Sequence, residues 1–303
     1  MSGGIAGTCF GYGVESELRF AYLRGGAGAE AMSVRVGAAH GPQPGDALAL
    51  SWPRRDGRPW SAELFRRNGR FALSIDGAGW FEVDPGEREI LVPEGEEDVV
   101  RREERLWGIP ALLCFLGRGD LPLHAAAVEV DGRAVLLAGP RRAGKTTLAA
   151  AFVAAGHRLL SEDLCCLRRS PHWSIVPGPA MLRLRHDVAR AVELPGAQAV
   201  ADDPERVHFA LPEASRGTCA PVPLGAILLL RESAGAIEMS RVDPSRAIPD
   251  LWALSFRLPD HQDRVRCFAG VTALADGVPV YNLARPLRMD TLASTVELVR
   301  TGA

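Results

Sequence analysis

Residues 134–147 decide the fold, and they read Ala134-Val135-Leu136-Leu137-Ala138-Gly139-Pro140-Arg141-Arg142-Ala143-Gly144-Lys145-Thr146-Thr147. The apolar run 134–138 predicts a buried strand, and the glycines that follow predict a tight loop. Residues 148–155 are good helix formers and stop at Gly156, which is typical of a helix C-terminus. From residue 121 onward the order strand, loop, helix, strand indicates an α/β core.

The loop has the spacing G-x-x-x-x-G-K-[ST] of a phosphate-binding P-loop. Its glycines let several backbone N–H groups point at one anion, and the following helix adds a partial positive charge. We predict that Lys145 reaches the β- and γ-phosphates and that the Thr146 hydroxyl ligates Mg²⁺. The cofactors are therefore expected to be ATP and Mg²⁺, bound by Gly139, Pro140, Arg141, Arg142, Ala143, Gly144, Lys145, Thr146 and Thr147.

Lysine usage supports this interpretation. The chain holds 35 basic residues, and Lys145 is its single lysine. The broad, planar guanidinium group of arginine cannot replace a compact ammonium in a tight phosphate cradle. A glycine-rich turn with a surface lysine would not explain why the lysine stands at this position.

Two carboxylates follow the next apolar segment, which reads Gly156-His157-Arg158-Leu159-Leu160-Ser161-Glu162-Asp163. One can hold Mg²⁺ while the other accepts the proton of an attacking group. Because neighbouring strand residues point to opposite faces, both reach one site only if the strand ends or bulges here. We predict Asp163 as the proton acceptor and Glu162 either on the metal side or behind the metal ligands, with Thr146, Glu162 and Asp163 as the metal-ligand candidates. The alternative is a solvated acidic turn.

A histidine lies upstream, in the segment Leu121-Pro122-Leu123-His124-Ala125-Ala126-Ala127-Val128. This segment precedes the apolar run 134–138 across a turn at Asp131-Gly132. A lone histidine is more often structural than functional, so the residues alone leave the role of His124 open.

Together, His124, the loop 139–146 and the segment 156–163 resemble the catalytic domain of the HPr kinase/phosphorylase family. The resemblance implies an α/β P-loop kinase core and ATP-dependent phosphorylation of a serine hydroxyl, with an aspartate as base. It also implies that His124 orients a carboxylate or touches the transferred phosphate, and that the protein forms a homo-oligomer.

The sequence departs from that family in several places. Its glycine-rich signature loop is not evident, Glu162 replaces an aspartate, and Arg141-Arg142 occupy positions usually held by small residues. The patterns L-H-A-x-A-V at 123–128 and L-S-[DE]-D at 160–163 resemble a divergent branch that accompanies lasso-peptide biosynthesis. That likeness implies a serine of a ribosomally made precursor peptide as the phosphate acceptor.

Three segments are expected along the chain. Residues 1–95 predict a β-rich N-terminal domain, because short alternating runs such as Ala47–Trp52 are separated by turns such as Asn68-Gly69 and Asp76-Gly77. Residues 96–120 predict a connecting helix, apolar over 106–116, that docks onto the second domain. Residues 121–303 predict the catalytic domain, closed by a helix over 289–299.

Composition excludes several classes of protein. A net charge of −2 gives no reason to expect nucleic acid or an anionic membrane as partner, and the apolar runs are too short for a membrane span. The first thirty residues show no basic segment followed by an apolar core, so we expect no secretory signal. The six cysteines have no metal spacing, which predicts free thiols in a cytoplasmic protein.

Other residues are weaker candidates. Arg183 and Arg185 alternate with leucines and would present guanidinium groups on one strand face. Arg206 beside His208 is another option, whereas Trp252 and Phe256 have the spacing of a helix core. The leading hypothesis is a kinase acting on a peptide or small protein. A kinase of a small hydroxylated metabolite and a nucleotide-binding regulatory protein with little catalysis stay open.

Overall fold

The computed structural model describes residues 5–55, 60–95, 98–216 and 219–302. It shows a mixed α/β protein whose strands form three sheets and whose first part is rich in strands, as predicted. Within these residues, no helix is both long and apolar enough to cross a membrane. The six cysteines are free thiols, also as predicted.

The N-terminal sheet has the order β1-β2-β3-β8-β7-β6-β5-β4. Its strands are β1 (Ile5–Cys9), β2 (Tyr12–Glu15), β3 (Glu30–Gly37), β4 (Ala47–Trp52), β5 (Ala62–Arg67), β6 (Arg70–Ile75), β7 (Trp80–Asp84) and β8 (Glu89–Pro93). Strands β4 to β8 pair antiparallel in sequence order, whereas β3 runs parallel to β2 and β8. The predicted turns Asn68-Gly69 and Asp76-Gly77 both have positive φ at both residues, as tight hairpin turns require.

Two helices follow this sheet, where the sequence predicted one connecting helix. Helix α1 (Val99–Leu106) begins at Val99 because the Asp98 side chain accepts hydrogen bonds from two backbone N–H groups of its first turn. Helix α2 (Ile109–Gly117) begins after Gly108, with a proline in its first turn. Its apolar residues share one core cluster with the N-terminal sheet and with Cys166 and Val176. The connection therefore packs between the N-terminal sheet and the rest of the chain, rather than docking onto the second part alone.

The remaining strands build the core sheet and a small sheet. They are β9 (Leu121–Leu123), β10 (Ala125–Val130), β11 (Arg133–Ala138), β12 (Arg158–Ser161), β13 (Cys165–Arg169), β14 (Trp173–Val176), β15 (Met181–Arg185), β16 (Gln198–Asp202), β17 (Arg206–Ala210), β18 (Val222–Glu232), β19 (Glu238–Arg241) and β20 (Val280–Arg285). Strands β11, β18 and β20 are parallel neighbours, so their carboxyl ends lie at one edge. Strands β10 and β12 continue the core sheet beyond β11, and the small sheet has the order β15-β17-β16.

Helices cover both faces of the core sheet. The helices of this part of the chain are α3 (Lys145–Ala154), α4 (His186–Ala191), α5 (Glu213–Arg216), α6 (Pro244–Leu254), α7 (His261–Gly277) and α8 (Leu292–Gly302), the last preceded by a 3-10 turn (Met289–Thr291). Apolar residues of α3 and α8 belong to one core cluster, and those of α6 and α7 to another. The predicted strand 134–138 and the helix that ends before Gly156 are confirmed.

The first residues of the chain lie against the core sheet. Arg24 is 2% exposed and donates hydrogen bonds to the carbonyl oxygens of Leu159 (2.8 Å), Leu160 (2.9 Å) and Gly178 (2.7 Å). The backbone of Phe10 also donates to the carbonyl of Pro177. A segment of the N-terminal part therefore fixes β12, the strand that leads to Glu162. The division of the chain at residues 95 and 120 stays a prediction.

Glu103 joins α1 to the same N-terminal segment. Its buried carboxylate accepts hydrogen bonds from the backbone N–H groups of Ala21 and Tyr22 and from the Trp107 indole. Burial raises the pKa of Glu103 to about 7, although those hydrogen bonds oppose the rise. Because the folded pKa exceeds the usual value of 4.5, this group favours the folded state most at low pH.

We expect the wild-type protein to lose about 3 kcal/mol of unfolding free energy from this group as the pH rises from 5 to 8. Glu103→Gln removes the titration, so its unfolding free energy should fall less over the same range. Urea unfolding at both pH values measures the difference, with Glu15→Gln on the exposed surface as the control. An equal pH dependence in Glu103→Gln and wild type would contradict the assignment.

Candidate functional site

The loop 139–144 joins β11 to α3, whose first residue is Lys145. Gly144 has φ of +82°, a left-handed conformation that glycine adopts without strain. Lys145 is 8% exposed, and its Nζ donates to the carbonyl oxygens of Gly139 (2.8 Å) and Pro140 (3.1 Å). Burial lowers the pKa of Lys145, while Asp163 and Glu162 oppose the shift. The ammonium thus lies across the loop, and Lys145 lines the cleft.

The other residues of the predicted loop surround the same opening. Arg141 and Arg142 are exposed and line the cleft together with Thr147. Arg142 has φ of +69°, which places two left-handed residues in one short loop. Ala143 packs against the core cluster that contains residues of α3 and α8. The carbonyl oxygen of Pro140 accepts a hydrogen bond from Lys145.

Thr146 and Glu162 supply oxygen ligands next to this loop. The Thr146 hydroxyl donates to Oε1 of Glu162 at 2.9 Å. Hydroxyl and carboxylate oxygens are the ligands that Mg²⁺ takes, and Mg²⁺ usually completes its shell with phosphate and water. The described residues contain no cluster of three or more His, Cys, Asp or Glu side chains placed for a metal. The Thr146 hydroxyl and the Glu162 carboxylate are therefore the oxygen pair beside the loop that the sequence predicted as metal ligands.

Glu162 and Asp163 both reach the cleft because β12 ends at Ser161. Asp163 has φ of +69°, so the chain turns sharply immediately after the strand. The sequence required such a break if both carboxylates were to share one site. The Glu162 side chain is 1% exposed and that of Asp163 is 52% exposed.

Arg183 of β15 joins the two carboxylates. Its Nε lies 3.1 Å from Oε2 of Glu162, and its Nη2 lies 3.1 Å from Oδ2 of Asp163. Burial disfavours the charged guanidinium, but Glu162 and Asp163 outweigh burial and raise the pKa of Arg183. The sequence had offered Arg183 only as a weak candidate beside Arg185, whose side chain is exposed and pairs with Asp187.

His124 lies between β9 and β10 and contacts Asp163. Its Nδ1 is 2.9 Å from the backbone carbonyl oxygen of Asp163 and 3.1 Å from the carboxylate Oδ1. Partial removal from water in the cleft raises the pKa of Asp163, but the hydrogen bond with His124 and the charge of Arg183 outweigh this effect and hold the pKa below its usual range. Asp163 is thus an ionised acceptor at neutral pH. The structure brings His124, Lys145, Thr146, Glu162 and Asp163 into one cleft.

Glu104 of α1 also reaches this cleft, and sequence reasoning missed it. Its carboxylate lies 3.9 Å from Nη1 of Arg183 and 2.5 Å from Nδ1 of His208, whose Nε2 contacts Asp203 at 2.8 Å. The hydrogen bond with Glu104 raises the pKa of His208. Because Glu104 and Arg183 are far apart in sequence, no local pattern signals their contact.

Other candidates have different surroundings. Arg206 lines the cleft, whereas Trp252 and Phe256 pack against core clusters outside it. Arg285, which the sequence did not single out, is 2% exposed beside Gly144. Its position at the carboxyl end of a strand parallel to β11 is the signal that could have found it.

The cleft has a volume of about 2240 Å³. The cleft is lined by Arg54, Trp60 and Asp76 of the N-terminal part and by Arg101 of α1, as well as by the loop and the carboxylates. Basic side chains outnumber acidic ones along these walls. The opening therefore suits an anionic ligand larger than a nucleotide alone.

Comparison with known proteins gives a weak structural similarity and no match by sequence. No protein-family model matches the chain, and no curated protein matches it. Among solved structures, the chain is similar to the HPr(Ser) kinase/phosphatase from Coxiella burnetii, with 13% identity and a TM-score of 0.32 over 59% of this chain and 93% of that one. At that TM-score the structural similarity gives no information about the residues of the site. Membership of the HPr kinase/phosphorylase family and of its lasso-peptide branch stays a prediction.

Gly144 and Gly156 provide a matched test of the loop. A Cβ at Gly144 would lie 2.5 Å from Nη2 of Arg285, whereas a Cβ at Gly156, with φ of +91°, would meet nothing within 4 Å. Both Gly→Ala variants should lose about 1 kcal/mol of unfolding free energy from backbone strain. Gly144→Ala alone should also weaken binding of ATP, the ligand that the sequence predicts, by about tenfold or more, because Arg285 must move.

Chemical unfolding and equilibrium ATP binding measure the two effects separately. Gly156→Ala serves as the control for strain without a clash. Equal ATP affinity in Gly144→Ala and Gly156→Ala would show that the contact between Gly144 and Arg285 has no part in the site.

Proposed function

We propose that this protein is an ATP-dependent kinase that transfers the γ-phosphoryl group to a serine hydroxyl of a peptide or small protein. One observation carries the proposal. Asp163, held by His124 and Arg183, faces the same cleft as Lys145 and the Thr146–Glu162 pair. A P-loop lysine, two metal-side oxygen atoms and an ionised carboxylate are the parts that phosphoryl transfer needs.

Each residue has a role in the proposed reaction. The acceptor hydroxyl loses its proton to Asp163 as its oxygen forms a bond to the γ-phosphorus, and the bond to the β–γ bridging oxygen breaks to release ADP. Lys145 and Arg183 counter negative charge on the transferred group. Thr146 and Glu162 would hold Mg²⁺, which neutralises charge on the β- and γ-phosphates when bound.

The size of the cleft supports a peptide acceptor over a small metabolite. Small-molecule pockets measure about 300–1,000 Å³ and enclose most of their ligand, whereas this cleft measures about 2240 Å³ and is also lined by residues of the N-terminal part. The sequence resemblance suggests a ribosomally made precursor peptide of the lasso type. Its serine is the specific acceptor that we propose.

Transfer of labelled γ-phosphate tests the function directly. With Mg²⁺ and a panel of peptides and small hydroxylated metabolites, we expect label on a peptide serine. Asp163→Asn should lower turnover by about a hundredfold or more and leave ATP binding nearly intact. Asp187→Asn is the matched control. Asp187 also lines the cleft, but its carboxylate pairs with Arg185, whereas that of Asp163 pairs with Arg183.

The possible results separate the three hypotheses. Label on a small molecule alone would favour a metabolite kinase. Tight ATP binding without any transfer would favour a regulatory nucleotide-binding protein. Turnover in Asp163→Asn equal to that of Asp187→Asn would remove Asp163 from the mechanism.

Thr146 provides a separate test of the magnesium ligands. Thr146→Val keeps the shape of the side chain but removes the hydroxyl, so the Mg²⁺ concentration for half-maximal ATP binding should rise by about tenfold. Thr146→Ser keeps the hydroxyl and should stay close to wild type. Calorimetric titration of ATP at a series of Mg²⁺ concentrations measures both, and an unchanged Mg²⁺ dependence in Thr146→Val would exclude Thr146 as a ligand.

A further inference from the structure

The turn 285–289 lies directly beside the phosphate loop. It leaves the carboxyl end of β20, which is parallel to β18, as β18 is to β11. Arg285 Nη2 is 3.4 Å from the carbonyl oxygen of Gly144. The Leu287 side chain lies 3.5 Å from the position that a Cβ on Gly144 would occupy. The turn and the loop therefore form one continuous surface at the edge of the sheet.

Arg285 is a buried cation without a carboxylate partner in the described residues. It is 2% exposed and donates to the carbonyl oxygens of Pro286 and Gly144, and its Nε has no hydrogen-bond partner among these residues. Burying a charge without a counter-charge is costly, so such a group signals an anion that arrives with a ligand. The polyphosphate of a nucleotide on the adjacent loop is an anion of this kind.

Leu287 and Met289 follow Arg285 and are exposed apolar side chains. They are 44% and 36% exposed, and both line the cleft. Large exposed apolar side chains next to a ligand-binding loop favour a flat, apolar ligand group. A purine base has that character, and it is joined to its phosphates by a short sugar.

The order of the strands in the core sheet indicates how a nucleotide would be oriented along the edge of the sheet. Strand β12, with Glu162 after it, lies on one side of β11, and β18 and β20 lie on the other. Thr146 and Glu162 mark the metal side, where the γ-phosphate would lie. The nucleoside end must then point away from β12, which is toward β20 and the turn 285–289.

We propose that the turn 285–289 forms the nucleoside side of the nucleotide site, with Arg285 contacting the polyphosphate and Leu287 and Met289 contacting the purine base. This inference rests on the proposed nucleotide site but does not depend on which acceptor is phosphorylated. It assigns a ligand to a buried arginine that the phosphoryl-transfer chemistry of Asp163 and Glu162 does not use.

Equilibrium binding of Mg²⁺–ATP and of inorganic tripolyphosphate tests the inference on the full chain. The double variant Leu287→Ser with Met289→Ser should weaken ATP binding by about tenfold and leave tripolyphosphate binding within about twofold, because tripolyphosphate has no base. Arg285→Gln should weaken both ligands by about tenfold. Leu48→Ser, at a 55% exposed position on β4 outside the cleft, is the control for loss of an exposed apolar side chain.

Each result decides between the alternatives. If the double variant binds ATP as tightly as wild type, or loses ATP and tripolyphosphate equally, the inference is wrong. If Arg285→Gln does not fold, the double variant still tests the base contact. If wild type binds ATP, loses it in the double variant and yet transfers no phosphate, the nucleoside site stands and the proposed kinase function fails. If wild type binds neither ligand, both proposals fail together.

Discussion

The site depends on holding two adjacent carboxylates in one cleft. Glu162 and Asp163 carry like charges on neighbouring residues, and β12 must end at Ser161 before both can turn to the same side. Their repulsion is offset by Arg183, which contacts both carboxylates at 3.1 Å. Without that guanidinium, two adjacent negative charges would face one cleft with no contact to Arg183 to offset their repulsion.

The strand is held by a residue of the N-terminal part, and the arginine by a residue of α1. Arg24 donates hydrogen bonds to two backbone carbonyl groups of β12. The Glu104 carboxylate of α1 lies 3.9 Å from Nη1 of Arg183. The β-rich first part thus acts on the geometry of the carboxylate pair and also walls the cleft. Arg24 and Glu104 contribute to the site by positioning β12 and Arg183.

What the sequence predicted well is encoded over short distances. The strand 134–138, the end of α3 before Gly156 and the turns Asn68-Gly69 and Asp76-Gly77 depend on residues within a few positions of one another. The break between α1 and α2 was missed, because the apolar run over 106–116 outweighed Gly108 and Pro110 as signals.

The contacts that complete the site could not be predicted in this way. Glu104 meets Arg183 and Arg285 meets Gly144 across long stretches of chain, so their encounter follows from sheet order and packing. Arginine is abundant in this sequence, so the presence of an arginine at one position does not indicate that it is functional. Lys145 was identifiable for the opposite reason, since it has no second copy in the chain.

The surroundings of Asp163 also constrain how the proposed transfer would proceed. His124 and Arg183 hold its pKa below the usual range, which makes the carboxylate a weak base for a serine hydroxyl. A strong base is not needed if the transition state is largely dissociative, because the hydroxyl then becomes acidic only as its bond to phosphorus forms. Asp163 would therefore act first by orienting the hydroxyl and only late by accepting its proton. His124 and Arg183 would then lower the basicity of Asp163 but fix its position. The rate of a dissociative transfer depends more on that position than on the strength of the base.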